Sequence, residues 1–277
     1  MRALILAVLL SLAASSAWAV NYCTDVNTSG AWKFDESTGD FADCTANNNS
    51  GVISGTIDYS GVVKFDGAAV FTASSNSMIN FGSGTTIDNL FDGGGTFAAW
   101  VELDGAGTGG VLCSGGNIVS KGNADGWSLC VNTDGSLSFT DKWAGGTVVW
   151  TTTTAPFSAF DGTAKHVMVY YNSDSDSNDP VIKVGCSTLT VTESAAPFGA
   201  RNTDAAINML AGLDGEGTSG GELNGRLDEM IMYNGDLQSV CSAMSEAGVD
   251  GSHGGGGSGS TTGGKLIFGG PIYAEIN

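Results

Sequence analysis

Basic residues are scarce in this chain. Its 277 residues include 10 Lys and Arg against 29 Asp and Glu, which gives a net charge of -19. Nucleic acids and anionic membranes bind positively charged surfaces, so this balance argues strongly against either as a partner. Asp outnumbers Glu by 21 to 8. Because Asp is both a turn residue and a ligand for hard cations, the bias favours a loop-rich β protein that binds calcium, with solubility in salt water as the alternative explanation.

Continuous helical periodicity is almost absent as well. Short apolar runs recur instead between clusters of Gly, Asn, Asp and Ser, a pattern typical of an antiparallel sandwich or barrel. Only residues 236–248 predict a helix, with Asp236 as N-cap, Gly248 just beyond the end and an apolar face that includes Cys241 and Met244. Strands are predicted at 30–35, 61–67, 96–104, 116–122, 126–132, 136–141, 147–152, 165–172, 180–185, 207–213 and 226–234.

The two ends of the chain differ in composition from its body. Residues 1–19 have the basic start, apolar stretch and small residues at Ala17 and Ala19 of a secretory signal peptide, and the apolar stretch is too short and serine-broken to favour a membrane anchor. Residues 20–250 form one predicted domain, and 251–264 have the Gly-rich composition of a flexible linker. The tail, 265–277, has too few apolar residues to fold alone, so it is either disordered or docks elsewhere as a strand.

Cysteine is limited to six residues, and none forms a CxxC pair that would indicate zinc or redox chemistry. An even number beyond a signal peptide predicts three disulfides formed in an oxidising compartment. Sequence alone allows 15 pairings. We expect local pairing, namely Cys23 with Cys44, Cys113 with Cys130, and Cys186 with Cys241.

Several segments together resemble the bacterial and phage laminin G-like domains of the concanavalin A-like superfamily. They are, in order, AWKFDESTGDFADCTANNNSG, VVKFDG, TFAAWVELD, NIVSKGNADGWSLCVNTDGSLSF, KHVMVYYN and GRLDEMIMYNGDLQS. The resemblance implies an all-β, two-sheet antiparallel jelly-roll sandwich, a concave face that commonly binds sugars, and often a structural calcium ion. Together with the helix predicted from residues 236–248, the expected fold is this sandwich with one short C-terminal helix. Two departures stand out: Ala164 and Lys165 replace a usual Trp, and Gly185 and Cys186 replace a common Asp-Gly turn.

Catalytic residues are not predicted. Laminarinase-like glycosidases of the same superfamily carry Glu-x-Asp-x-x-Glu, because a retaining reaction needs two suitably spaced carboxyl groups. Here Glu102 and Asp104 match the first two positions, but Gly107 stands at the third. The chain has two His; His253 lies in the Gly-rich linker, and His166 lies on a predicted strand without a nucleophile elbow nearby.

Acids near the two ends of the domain form the candidate metal site. Asp35 and Asp43 belong to an oxygen-rich loop, and Asp228 belongs to the last predicted strand, which a jelly roll brings close to the first. Strand alternation places Asp228 and Glu229 on opposite faces, so one of them points to the core and needs a partner. We expect calcium bound by Asp35, Asp43 and Asp228. The alternatives are acids bonded to backbone N–H groups and, for Asp228, an ion pair with the adjacent Arg226. The DSDSND segment at 174–179 lacks the Gly and Glu of a calcium loop and predicts a hairpin turn.

Aromatic side chains are the candidate ligand-binding residues, because sugar rings stack on them. Trp143 lies in a Gly-rich loop and is the predicted exposed platform, with Trp127, Trp150 and Tyr170 as further candidates and packing as the alternative. The sequence thus predicts a secreted or cell-surface, non-catalytic, calcium-supported carbohydrate-binding or adhesion domain. The alternatives are a structural surface or virion-type subunit that assembles through the C-terminal tail and, least favoured, a laminarinase-like glycoside hydrolase.

Overall fold

The computed structural model describes residues 20–110, 112–122, 125–213 and 220–253, and these form one β-rich body. The predicted signal peptide, the tail and most of the linker lie outside the described residues. Among those described, no helix is long and apolar enough to cross a bilayer. The strands are β1 (Thr28–Trp32), β2 (Val52–Ser54), β3 (Ala69–Phe71), β4 (Met78–Gly82), β5 (Gly95–Leu103), β6 (Asn117–Lys121), β7 (Trp127–Val131), β8 (Leu137–Trp143), β9 (Gly146–Thr152), β10 (Lys165–Tyr171), β11 (Val181–Val184), β12 (Ser187–Leu189), β13 (Val191–Glu193), β14 (Met209–Ala211) and β15 (Gly225–Tyr233).

Two antiparallel sheets make up the body. Sheet 1 has the strand order β1-β15-β5-β10-β11-β12, with β3 also paired to β15, and sheet 2 has the order β13-β9-β8-β7-β6-β14-β4-β2. Their inner faces share one apolar core, which holds aromatic rings such as Trp127, Phe139 and Tyr171. This arrangement confirms the predicted two-sheet antiparallel sandwich.

The outer face of sheet 1 carries a second, smaller core. The 3-10 helix Gln238–Val240 and α1 (Cys241–Ala247) lie against it, and Cys241 and Met244 pack with Met168 and Ile231 of the sheet. Gly248 follows the helix at φ 70°, a positive value that suits glycine. The short C-terminal helix and its apolar face are therefore confirmed.

Three disulfides staple the body with the predicted pairings: Cys23–Cys44, Cys113–Cys130 and Cys186–Cys241. The third fixes α1 to the turn between β11 and β12. Three disulfides in one domain indicate folding in an oxidising compartment.

One predicted strand is wrong. Residues 61–67 form no strand, because the backbone N–H groups of Lys64 and Phe65 bind the Asp228 carboxylate instead of a neighbouring strand. The short strands β2, β3, β4, β12 and β13 were not predicted; four of them have three residues each, which is too short for a clear alternating pattern. The DSDSND segment does connect the antiparallel pair β10 and β11, as predicted.

Candidate functional site

A bulge in β15 controls where the two central acids point. The pairing of β15 with β5 shifts between Asp228 and Ile231, and Glu229 has φ 50°, as a bulge residue does when it leaves the ladder. Leu227 and Met230 consequently both join the core between the sheets. The prediction that Asp228 and Glu229 lie on opposite faces is wrong, because the extra residue interrupts the alternation and leaves both acids bound to segments outside the sandwich core.

Asp228 is completely buried, and only one of its two carboxylate oxygens has hydrogen-bond partners. Its Oδ2 accepts N–H bonds from Lys64 at 2.9 Å and Phe65 at 3.0 Å, while Oδ1 has no hydrogen-bond partner among the described residues. Burial raises the pKa of Asp228 to about 7, against the lowering effect of the two N–H bonds. The carboxyl group therefore links the loop at 64–65 to β15. Its second oxygen, Oδ1, is buried without a partner and needs a proton or a cation to compensate it.

Glu229 links the C-terminal segment to β15 in the same way. Its Oε2 accepts the backbone N–H of Val249, just after α1, and its buried Oε1 has no partner among the described residues. Burial first, and then the charge of Asp228, raise the pKa of Glu229 to about 8. The acid pair thus fastens both flanking segments to β15.

The three predicted calcium ligands do not form one site. Asp43 is saturated by the amides of Ala31, Thr45 and Asn49, which matches the alternative of a backbone-bonded acid. Asp35 accepts the Gly67 N–H and pairs with Lys33. Within the described part of the chain, no three carboxylates bring one oxygen each within 4.8 Å of one another, whereas calcium takes six to eight oxygen ligands. Asp35 and Asp43 as arranged do not fit the ion.

The residues considered for catalysis have structural partners. Arg226 binds both Glu102 on β5 and Asp104 just beyond the end of that strand, so both acids already pair with a cation of the protein. His166 is buried under α1, with Nδ1 3.7 Å from Cys241 Sγ. Burial lowers the pKa of His166 to about 4, which keeps its imidazole neutral at neutral pH.

The three tryptophans predicted as ligand-binding residues are buried, and the predicted exposure of Trp143 is wrong. Trp127, Trp143 and Trp150 are 0 to 2% exposed and belong to the core between the sheets, so none offers a ring to a ligand. Trp127 begins β7, Trp143 ends β8 and Trp150 lies within β9, each on the inward-facing side of its strand. The Gly-rich sequence after Trp143 indicated an exposed loop instead. Trp100 is half-buried on the outer face of sheet 1, where Lys64 Nζ lies 4.8 Å from the centre of its ring.

Tyr170 differs from the three Trp because its ring reaches a groove. The groove has a volume of about 390 Å³ and is lined by Tyr170, Asn172, Ser177, Asn178 and Asp179. On β10, Val169 and Tyr171 point to the core, so alternation turns Tyr170 outward. A Cβ on Gly94 would lie 2.9 Å from Tyr170 Oη, so the missing side chain at Gly94 makes room for the phenol group.

Some polar atoms that line the groove form hydrogen bonds within the protein, and others have no partner. Asp179 Oδ1 accepts the Trp150 indole N–H at 2.9 Å, and the Asn178 amide donates to the Asn172 carbonyl at 2.9 Å. Among the described residues, Tyr170 Oη, Asn178 Oδ1 and Asp179 Oδ2 have no hydrogen-bond partner. A half-buried aromatic ring beside an acceptor carboxylate and amide oxygens is suited to a polyhydroxylated ligand.

The sequence indicates Tyr170 as a candidate but not its neighbours in the groove. The DSDSND segment fails as a calcium loop and by itself predicts a turn. The available signal is the density of Asn and Asp directly after an aromatic strand residue, in YYNSDSDSND. Only the fold of the hairpin shows that Asn172 and Asp179, seven residues apart, line the same groove as Tyr170.

Comparison with known proteins adds the fold and no family. No family model matches the chain, and no curated protein matches its sequence. Among solved structures, the binding domain of botulinum neurotoxin DC, in complex with rat synaptotagmin II, has a TM-score of 0.56 at 10% identity over 79% of this chain and 51% of its own. A botulinum neurotoxin type C structure, described as dependent on two ganglioside molecules for cell entry, has a TM-score of 0.54 at 11% identity over 78% and 50%. A Trypanosoma rangeli sialidase bound to a difluoro-KDN has a TM-score of 0.52 at 13% identity over 80% and 32%. The chain spans about half the length of these toxin domains, and the likeness establishes a β-sandwich fold.

Proposed function

We propose that this protein is an exported, non-catalytic carbohydrate-binding domain of the laminin G-like type, and that its ligand occupies the Tyr170 groove. The groove carries the proposal, because it joins an outward-facing aromatic ring to unpaired oxygen acceptors on a rigid hairpin. The toxin and sialidase structures of similar fold support it, since their descriptions name ganglioside and sugar ligands. The pairing of Glu102 and Asp104 with Arg226 supports a binding role over hydrolysis.

A glycan array with the labelled protein tests the proposal. We expect binding to a limited set of glycans, and a loss of about 2- to 13-fold in affinity for Tyr170→Ala, since stacking on an aromatic ring contributes about 0.5–1.5 kcal/mol. Tyr170→Phe keeps the ring and separates stacking from the hydroxyl contribution.

Phe198→Ala is the matched control. Phe198 is 63% exposed and stands over Gly145 in the β8–β9 turn, away from the lining of the groove. Equal losses for Tyr170→Ala and Phe198→Ala would refute the assignment of the groove. An array that stays flat for the wild-type protein would refute carbohydrate binding and favour the scaffold alternative.

Calcium support is a separate part of the proposal, and we place it at Asp228 Oδ1 and Glu229 Oε1. These are buried carboxylate oxygens without a partner among the described residues, and a calcium ion held by them would need its remaining oxygen ligands from water or backbone carbonyls. Calorimetric titration of calcium into the chelator-treated protein tests this at pH 9, where both acids are ionised. We expect heat of binding in the wild-type protein and none in Asp228→Asn. An identical null titration for both proteins would leave protons, not calcium, as the partners of the acids.

A further inference from the structure

The surroundings of the Tyr170 groove are strongly acidic. Asp179 lines it, and the hairpin that carries Asp179 adds the exposed Asp174 and Asp176. Burial first, and then the charge of Asp179, raise the pKa of Glu193 on the edge strand β13, so a further acid lies near Asp179. Asp236 is exposed just before the 3-10 helix. The carbonyl of the preceding residue, Gly235, accepts a hydrogen bond from Thr96 Oγ1, and Thr96 is the residue of β5 that pairs with Tyr170.

Two basic side chains on neighbouring elements already bind other groups of the protein. Lys183 lies on β11, beside β10, and its Nζ donates to the Gln238 carbonyl at 3.0 Å. Arg201 is only 5% exposed, and its guanidinium binds Asp92, Asp141 and Asp204. Among the described residues, no Lys or Arg lines the groove. A ligand carboxylate or sulfate would therefore meet the charge of Asp179 without a Lys or Arg side chain in the lining to pair with.

We propose that the groove selects uncharged glycans and excludes sialylated and sulfated ones. This inference rests on the proposed function of the groove. Asp179 Oδ2 accepts a sugar hydroxyl readily, whereas a sialic acid carboxylate at the same place offers no proton and adds a second negative charge. Like-charge juxtaposition of this kind is a strong determinant of specificity in recognition. The net charge of -19 acts in the same direction at longer range.

This selectivity differs from what the similar structures suggest. One botulinum binding domain is described in complex with SialylT, and another protein as dependent on gangliosides. At 10 to 11% identity the shared fold does not transmit the ligand, because specificity depends on the individual side chains at the site. The charges of this groove point to the asialo counterparts.

An array of matched pairs tests the inference. Each neutral oligosaccharide is printed beside its sialylated or sulfated form, including a ganglioside oligosaccharide and its asialo form. At about 10 mM salt, where the Debye length is about 30 Å, we expect the charged member to bind at least about tenfold more weakly. At about 1 M salt, where the Debye length is about 3 Å, the difference narrows.

Two variants connect the selectivity to named charges. Asp179→Asn keeps an acceptor for the Trp150 indole and removes the charge in the groove, and Asp176→Asn removes an exposed charge with no hydrogen bond among the described residues. We expect both to narrow the gap between paired glycans, Asp179→Asn more. If the wild-type protein binds charged members as well as neutral ones, this inference is overturned while carbohydrate binding stands. If it binds no member of any pair, the proposed function itself fails.

Discussion

Replacing Asp228 by Asn removes one buried negative charge and keeps an acceptor oxygen for the amides of Lys64 and Phe65. In the folded protein, burial raises the pKa of Asp228 to about 7 from an ordinary value of 3.8. Between these two pH values the folded state holds a proton that the unfolded state has already lost. The contribution of this group is therefore fully present below about pH 4 and is lost as the pH rises through 7.

The size of the effect follows from the shift. Each pH unit inside the interval lowers the free energy of unfolding by about 1.4 kcal/mol, so the whole interval amounts to about 4 kcal/mol. The amide that replaces the carboxyl group in the variant has no proton to lose. From pH 5 to pH 9 we therefore expect the free energy of unfolding of Asp228→Asn, relative to that of the wild-type protein, to rise by about 3 kcal/mol. Because the charge of Asp228 also raises the pKa of Glu229, its removal eases the ionisation of Glu229 and adds to this rise.

Urea unfolding followed by tryptophan fluorescence, with chelator present and disulfides intact, measures the difference at pH 5, 7 and 9. Asp176→Asn is the control, because it makes the same change in charge at an exposed site and should show no such trend. If the difference between Asp228→Asn and the wild-type protein is the same at pH 5 and pH 9, the folded protein ionises Asp228 without cost. The inference from its burial would then be refuted.

Three further predictions concern stability and tryptophan exposure. Replacing both Cys186 and Cys241 by Ser should lower the free energy of unfolding by about 2–4 kcal/mol in urea titrations, and an unchanged value would mean that the disulfide does not restrain the unfolded chain. Arg201→Met should cost about 3–5 kcal/mol, because it leaves the buried Asp141 and Asp204 without their cation; Asp92→Asn, at the more exposed end of the same network, should cost about 1 kcal/mol or less. In protein produced without residues 1–19, iodide should quench the fluorescence of Trp100 far more than that of Trp143, so Trp100→Phe should abolish most of the quenching and Trp143→Phe should not.

Much of the architecture follows from short-range pattern. Alternating apolar residues between turn clusters predicted most of the long strands, and the spacing of Leu237, Cys241 and Met244 predicted the packed face of the helix. The strands and the helix depend on near neighbours along the chain, where periods of 2 and 3.6 residues leave a direct signature. The disulfides agree with the expected pairing in chain order, which the sequence alone left among several possibilities.

The candidate site was less predictable, because its properties depend on distant segments. Trp143 stands next to Ala144-Gly145-Gly146, which indicates an exposed loop, yet its ring enters the core because the opposite sheet covers that side. Asp43 is an acid in an oxygen-rich loop, but the backbone of its own loop and of β1 uses both its oxygens. Which acid keeps a free oxygen is decided by the amides that reach it.

Residues 225–237 show where local and tertiary information divide. By itself the sequence determined that GRLDEMIMY is a β-strand and that a helix follows it, since these depend on local periodicity and turn residues. Only the tertiary structure decided that Asp228 and Glu229 leave the core together, because the bulge at Glu229 is a mismatch in register between β15 and β5 and has no signature in one strand alone. The partners of the two acids, at residues 64, 65 and 249, come from segments that only folding brings to that strand.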